Sequence, residues 1–314
     1  MWPAGGPIAP FDGFDHEMTS RFFARSAVLR GGLALGFAGV LASATTCAAF
    51  DLSDPIGSIF GGEKYEQKIL PDIPADTIYN QGLARLQTKD YEGAGKKFND
   101  LAKEYPNDKG VQQKALLMAT FSEYQGGRYS DAIGSANRFI GLFPNSSDTP
   151  YVYYLAGMSY YNQIPEVTRD QETSEKAVAI FNQLVQKYPK SEYVTDAKFK
   201  IQVAKDQLAG REMHVGRYYL EKNNYTAAIN RFREVLGKYQ STRHTEEALY
   251  RLVEAYMRLG IPQEAQTAAA VLGHNYPGSQ WYQDAFKRLR ADGLEPRDNE
   301  DSWITKAVRK IGVG

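Results

Sequence analysis

"KYPKSEYVTDA" spans residues 187–197, and two other stretches repeat its outline: "KYQSTRHTEEA" at 238–248 and "NYPGSQWYQDA" at 275–285. Little is identical among them except the punctuation: an aromatic, a proline in two of the three, a small hydroxyl residue and a closing alanine. Each part has a physical use. A helix ends at the aromatic, proline cannot continue it because it lacks a backbone N–H, and a side-chain oxygen caps the next helix. The stretch is a joint between two helices.

The joint belongs to a longer unit. Five alanines, Ala94, Ala132, Ala177, Ala228 and Ala265, are each followed eleven residues later by an aromatic: Tyr105, Phe143, Tyr188, Tyr239 and Tyr276. Proline holds the twelfth place except at Gln240, and the fourteenth holds Asp108, Ser146, Ser191, Thr242 and Ser279. Phe98, Phe181 and Phe232 lie four residues after their alanine, with Ala136 and Ala269 in the other two copies. Gly82 and Gly216 stand twelve before theirs, and Val253 takes that place in the last copy. The small alanine lets two helices approach closely, and the aromatic one turn on fills the groove beside it.

These units resemble tetratricopeptide repeats, helix–turn–helix modules of about 34 residues. The alanine spacings, 38, 45, 51 and 37, all exceed that minimum. The excess predicts an insertion at 163–173 and an extended helix from about Ser191 to Lys222. The expected fold is all-α, a superhelical array of five repeats at 75–108, 109–146, 147–191, 192–242 and 243–279, with a closing helix to 290. Residues 291–314 form a polar tail in which Trp303, Ile304, Ala307, Val308 and Ile311 share one helical face, suited to docking on a partner or on the chain itself.

Composition narrows the function. Lysine plus arginine and aspartate plus glutamate number 37 each, so there is no electrostatic case for a nucleic-acid partner or a strongly anionic surface. Before the single cysteine, Cys47, three arginines precede a 14-residue apolar run, Gly31 to Ala44, too short to span a bilayer but suited to an export signal. Met18 is the expected start of that signal. A lone cysteine at its end is where a bacterial lipoprotein is cut and acylated, although the preceding "ATT" departs from the usual pattern. Residues 1–46 are therefore expected to be an extension and signal peptide. Residues 47–74, rich in glycine, proline and charge, would follow as a lipidated cysteine and flexible tether. Ala48, where an aspartate would favour inner-membrane retention, favours the outer membrane.

No catalytic constellation appears. The histidines 16, 214, 244 and 274 lie far apart, and no nucleophile elbow, phosphate-cradling glycine loop or zinc-protease motif is present. Neither an enzyme nor a cofactor is expected. The function of such a scaffold is binding. The positions fifteen and eleven before the alanine line the groove of these repeats. They hold Tyr79 and Leu83, then Leu117 and Phe121, with Tyr124 one turn along. The same side chains also suit inter-repeat core. If they face solvent, the groove is apolar and aromatic and fits an extended peptide.

Four stretches go beyond a generic repeat: "RFIGLFPNSSDTPYVYYLAGMSYY" (138–161), "RDQETSEKAVAIFNQLVQKYPKSEYVTDAKFKI" (169–201), "VGRYYLEKNNYTAAINRFREVL" (215–236) and "TEEALYRLVEAYMRLG" (245–260). With the signal and cysteine, they resemble the BamD family, lipoproteins of the β-barrel assembly machinery of the bacterial outer membrane. The resemblance implies a lipid-anchored scaffold on the periplasmic face of that membrane. It implies three kinds of partner: a POTRA domain of BamA, other Bam lipoproteins, and unfolded outer-membrane β-barrel proteins at the N-terminal repeats. Arg231, in "AAINRFREVL", matches a family arginine implicated in the BamA contact; it equally suits a solvated helix face. A periplasmic repeat adaptor for envelope constriction or peptidoglycan synthesis is the alternative, and the coiled coil common in such adaptors has no heptads here.

Overall fold

The computed structural model describes residues 73–309; the signal, Cys47, most of the tether and Ile311 lie outside the described residues. Five helix pairs follow one another: α1 (Ala75–Gln87) with α2 (Tyr91–Glu104), α3 (Lys109–Gln125) with α4 (Tyr129–Leu142), and α5 (Thr149–Tyr161) with α6 (Glu172–Lys187). Then come α7 (Val194–Glu221) with α8 (Tyr225–Lys238) and α9 (Thr245–Leu259) with α10 (Pro262–Asn275). Helix α11 (Gln280–Ala291) closes the stack, and a short α12 (Trp303–Arg309) follows. No strand occurs among the described residues.

Every helix through α10 packs on the next one in the chain. The first helices of successive pairs, α1, α3, α5, α7, α9 and α11, also touch one another, whereas the second helices make no comparable contact among themselves. The first helices therefore form the inner, concave row and the second helices the outer one.

The five marker alanines are fully buried, as are Phe98, Phe181 and Phe232 one turn on. Each phenylalanine ring lies where a glycine of the facing helix has no side chain. A Cβ built on Gly82 would stand 2.6 Å from Phe98, on Gly157 2.5 Å from Phe181, and on Gly216 2.4 Å from Phe232. The other two pairs exchange the volumes. Buried Thr120 and Val253 take the glycine's register place, and Ala136 and Ala269 take that of the phenylalanine.

Joints repeat as closely. The backbone N–H of each joint aromatic closes the last helical turn, as in Tyr105 to Leu101 O at 3.1 Å and Tyr276 to Leu272 O at 2.8 Å. The tyrosine hydroxyls of Tyr105 and Tyr188 donate back to the carbonyls of Ile73 and Pro144, at 2.7 and 2.8 Å. Within four of the pairs, the residue five before the alanine adopts the left-handed conformation: Lys89, Gly127, Asn223 and Gly260. In the third pair, residues 162–171 replace that tight turn, held by Gln171 Nε2 to Glu166 O and by Arg211 to Thr168 O.

One expectation changes. Asp108 and Ser279 cap their helices, but Ser146, Ser191 and Thr242 do not. Their backbone N–H groups instead close a turn onto Phe143, Tyr188 and Tyr239, and the helices start three residues later. Gln240, which holds the proline place of the fourth joint, donates through its side chain to the Leu236 and Ala307 carbonyls. That bond anchors α12, which buries Ile304 and Val308 on α8 and α10 and donates from Trp303 Nε1 to Tyr256 Oη at 2.9 Å. The tail helix docks on its own chain.

The glycine–phenylalanine fit generates a test. Gly216→Val is expected to destabilise by about 1–3 kcal/mol through overpacking. Phe232→Ala should cost about 3–5 kcal/mol through a cavity. Combined, they reproduce the Val253/Ala269 arrangement of the fifth pair. Thermal melts of the double-mutant cycle should show a favourable coupling of about 1 kcal/mol or more; strict additivity would refute the volume exchange.

Candidate functional site

The inner row presents one face to the groove, at the register fifteen and eleven residues before each alanine. Tyr79 is half-buried, its ring 5.5 Å from Phe98 edge-on, and burial pushes its hydroxyl pKa up. Leu83 packs partly on Ala94, Phe98 and Ala119. Leu117 does not line the groove. It is 4% exposed, in a core with Ile78 of α1 and Val152 and Ala156 of α5, because the neighbouring first helices cover it from both sides. Phe121 is half-buried and outside the buried core clusters. Tyr124 is half-buried, its ring 5.9 Å from Tyr129, and its hydroxyl accepts from Asn162 Nδ2 at 3.3 Å.

The densest part of the groove lies where sequence reasoning did not look. The insertion moves the third pair's glycine, Gly157, from twelve to twenty residues before its alanine. The groove register moves with it, to Tyr154 and Met158 with Tyr151 and Tyr161 beside them. Tyr193, at the N-cap of the long α7, and Asp196 and Lys200 in its first half add to them. Tyr154 Oη donates to Asp196 Oδ2 at 2.7 Å and its ring stacks on Tyr193 at 5.1 Å. Burial, then the bond to Asp196, pushes the Tyr154 hydroxyl far above the usual tyrosine range. Lys200 Nζ lies 4.8 Å from the Tyr161 ring centre, and neighbouring Phe199 is 62% exposed. The aligned glycine was the signal that would have found them.

From the second half of α7 onward the same row changes chemistry. Arg217 Nη1 donates to both Glu247 oxygens at 3.0 Å. Arg251 bridges Glu247 at 3.3 Å and Glu254 at 2.6 Å, and Arg288 Nη1 reaches Glu254 at 3.2 Å. Tyr250 and Trp281 pack at 5.3 Å, with the Arg251 guanidinium over both rings. An ionic ladder thus crosses α7, α9 and α11.

Arg231 stands apart, on outer helix α8. Its Nη1 reaches Glu212 Oε2 at 3.2 Å, and its side chain is 43% exposed beside an open depression of about 380 Å³ lined also by Tyr219, Asn230 and Lys238. Cys47 lies outside the described residues. Among the described residues no group of three or more His, Cys, Asp or Glu is placed to hold a metal, and no helix is long and apolar enough to cross a membrane.

Behind Phe121 and Tyr124, Glu123 points the other way, into the packing of α2, α3 and α4. It is 5% exposed; Asn99 Nδ2 donates to Oε1 at 2.6 Å and Oε2 has no partner. Gly95, next to a marker alanine, leaves room for it: a Cβ there would meet Glu123 Cγ at 3.0 Å. Burial raises the carboxyl pKa above its ordinary 4.5.

Comparison with known proteins adds identity to this geometry. A family model described as "YfiO: Outer membrane lipoprotein" matches residues 71–272. Outer membrane protein assembly factor BamD of Caulobacter vibrioides is 40% identical over 253 residues, covering 81% of this chain and 83% of the relative. The BamD of Rickettsia prowazekii is 41% identical, covering 75% and 94%, and that of Neisseria meningitidis serogroup A 31%, covering 71% and 86%. Among solved structures, PilW, a widely conserved type IV pilus biogenesis factor, covers 67% of this chain at a TM-score of 0.32 and 15% identity, too loose a likeness to build on.

Glu123 makes stability pH-dependent in a definite direction. Because its folded pKa is raised, its contribution is intact below the unfolded value of 4.5 and lost as pH rises through the folded one. Glu123→Gln removes the penalty while keeping an acceptor for Asn99. Melts of the variant and the parent should coincide near pH 4.5 and diverge upward by a few degrees in the variant's favour at neutral pH. A variant less stable at every pH would show that the charged carboxylate is needed.

Proposed function

This chain belongs to the YfiO family of outer membrane lipoproteins, whose relatives are the BamD assembly factors, and from that premise we propose that it is a non-enzymatic scaffold for assembling β-barrel proteins into the outer membrane. In this reading Cys47 carries the lipid anchor, residues 48–74 are the tether, and the repeats work at the periplasmic face. The N-terminal half of the groove receives unfolded barrel segments. The C-terminal repeats hold a POTRA domain of BamA, with Arg231 as the cationic contact, alongside other lipoproteins of the machinery.

The observation that supports the reading best is the run of aromatic side chains along the inner row from Tyr79 through Phe121 and Tyr124 to Tyr154 and Tyr193. A transmembrane barrel strand alternates apolar and polar residues, so one edge of such a peptide is apolar throughout. At about 25 cal/mol per Å², an apolar contact of roughly 300 Å² supplies several kcal/mol before ordering costs. That suits capture followed by release. Tyr and Phe also lose little side-chain entropy on binding.

Two variants separate the activities. Phe121→Ser should reduce photocrosslinking of a barrel-strand peptide several-fold while BamA binding is kept; loss of the fold instead would return Phe121 to the core. Arg231→Glu should weaken BamA binding by about tenfold or more, since truncating an interfacial charge pair costs about 2–5 kcal/mol. Its stability should hardly change, because the half-exposed pair with Glu212 is worth at most about 1 kcal/mol. Unchanged BamA affinity with a native melt would make Arg231 an ordinary surface charge.

A further inference from the structure

The groove-facing stripe of the long α7 is covered at one place. Gly210 and Arg217 stand eleven and eighteen residues after Phe199, close to whole helical turns, so the three share one stripe of the helix. The Phe199 residue is 62% exposed and the Arg217 side chain 37%. Gly210, between them, is buried. Its cover comes from two other elements. Val167 of the insertion brings its methyl groups to 3.5 and 3.7 Å from where a Gly210 Cβ would stand, and His244, the N-cap of α9, brings Nε2 to 3.4 Å.

The insertion is fastened on both sides of Val167. Gln171 Nε2 donates to the carbonyls of Glu166 at 2.9 Å and Arg169 at 3.1 Å, and Arg211 Nη1 donates to that of Thr168 at 3.0 Å. Gln171 is itself buried, and its Oε1 accepts from Ser174 Oγ at 2.8 Å. A segment held through its own backbone in this way is a fixed wall across the stripe.

We propose, building on the groove reading above, that Val167 and His244 closed over Gly210 form the stop of the aromatic groove and limit the barrel segment it takes to about one transmembrane strand. The aromatic stretch runs over α1, α3, α5 and the first half of α7, from Tyr79 to Phe199. Three spacings of about 8–10 Å between neighbouring helices make roughly 24–30 Å. An extended chain covers that distance in about eight or nine residues, and a transmembrane β-strand has about 9–11. Beyond the wall the inner row offers rings again, Tyr250 and Trp281, so without the stop a longer segment would go on gaining contact.

The test uses the full chain and fluorescein-labelled peptides that alternate tyrosine and serine over six, nine, twelve and eighteen residues, each with two lysines at the labelled end for solubility, read by anisotropy. Affinity should rise roughly threefold or more from six residues to nine and stay within about twofold from nine to eighteen. With benzoylphenylalanine in place of a central tyrosine, the nine- and eighteen-residue peptides should crosslink to the same helices, α1 to the first half of α7, by mass spectrometry. Val167→Gly combined with Arg211→Ala loosens the wall, and the eighteen-residue peptide should then bind several-fold more tightly than the nine-residue one. Should that variant fail to fold, the length series and crosslinks of the parent decide. Affinity that keeps rising with length in the parent, crosslinks on α9 or α11 as strong as those on α5, or a folded variant that binds both lengths alike would each overturn the stop and leave the groove reading in place. No binding at any length would overturn the groove reading itself, and the stop with it.

Discussion

In three of the five pairs a phenylalanine of the outer helix fills the space a glycine of the inner helix leaves open, and the array depends on that close approach. With a Cβ in the glycine's place the two backbones would have to part by enough to clear an aromatic ring, at distances of 2.4–2.6 Å that no side chain tolerates. The pairs built on Thr120 and Val253 keep the approach by placing alanine opposite instead. What is maintained is the summed volume between helices, as close packing in a protein interior demands. Because all five pairs solve the same problem, they can stack with the same geometry.

That stacking sorts the side chains. The inner helices touch their successors, so residues between them are lost to the core, and Leu117 is one. Residues one turn along stay half open and form the groove. Its two halves differ in chemistry. The N-terminal half is largely ring against ring, with one tyrosine–aspartate bond; the C-terminal half is a chain of alternating arginines and glutamates. The two halves therefore present chemically different surfaces along one row of helices.

Departures from the repeat are where the chain adds contacts that the pattern lacks. The loss of proline at Gln240 frees an amide that reaches both its own helix and the carbonyl of Ala307, and so seats α12 across α8 and α10. The insertion at 162–171 shifts the groove register onto the tyrosine-rich α5 and lays Val167 beside Gly210 of α7. Glu123 is a third departure, a carboxylate admitted to the core by the glycine at 95 and left with one unpaired oxygen.

The spacing of alanine, aromatic and proline was sufficient to derive the helix pairs and the long α7, because each depends on residues within a turn or two along the chain; it did not give the turns that replace side-chain caps at Ser146, Ser191 and Thr242. Tyr79, Leu83, Phe121 and Tyr124, which the same spacing marks, sit half-buried on the inner row. The spacing misled at Leu117, since burial there is set by α1 and α5 rather than by its own helix. It missed Tyr154, Tyr193 and Asp196, because an insertion shifts the register and only the contact of Gly157 with Phe181 restores it. The Arg217–Glu247–Arg251–Glu254–Arg288 ladder joins residues thirty or more apart on three helices. Local periodicity carries the pairs, whereas the chemistry of the groove exists only once the pairs are stacked.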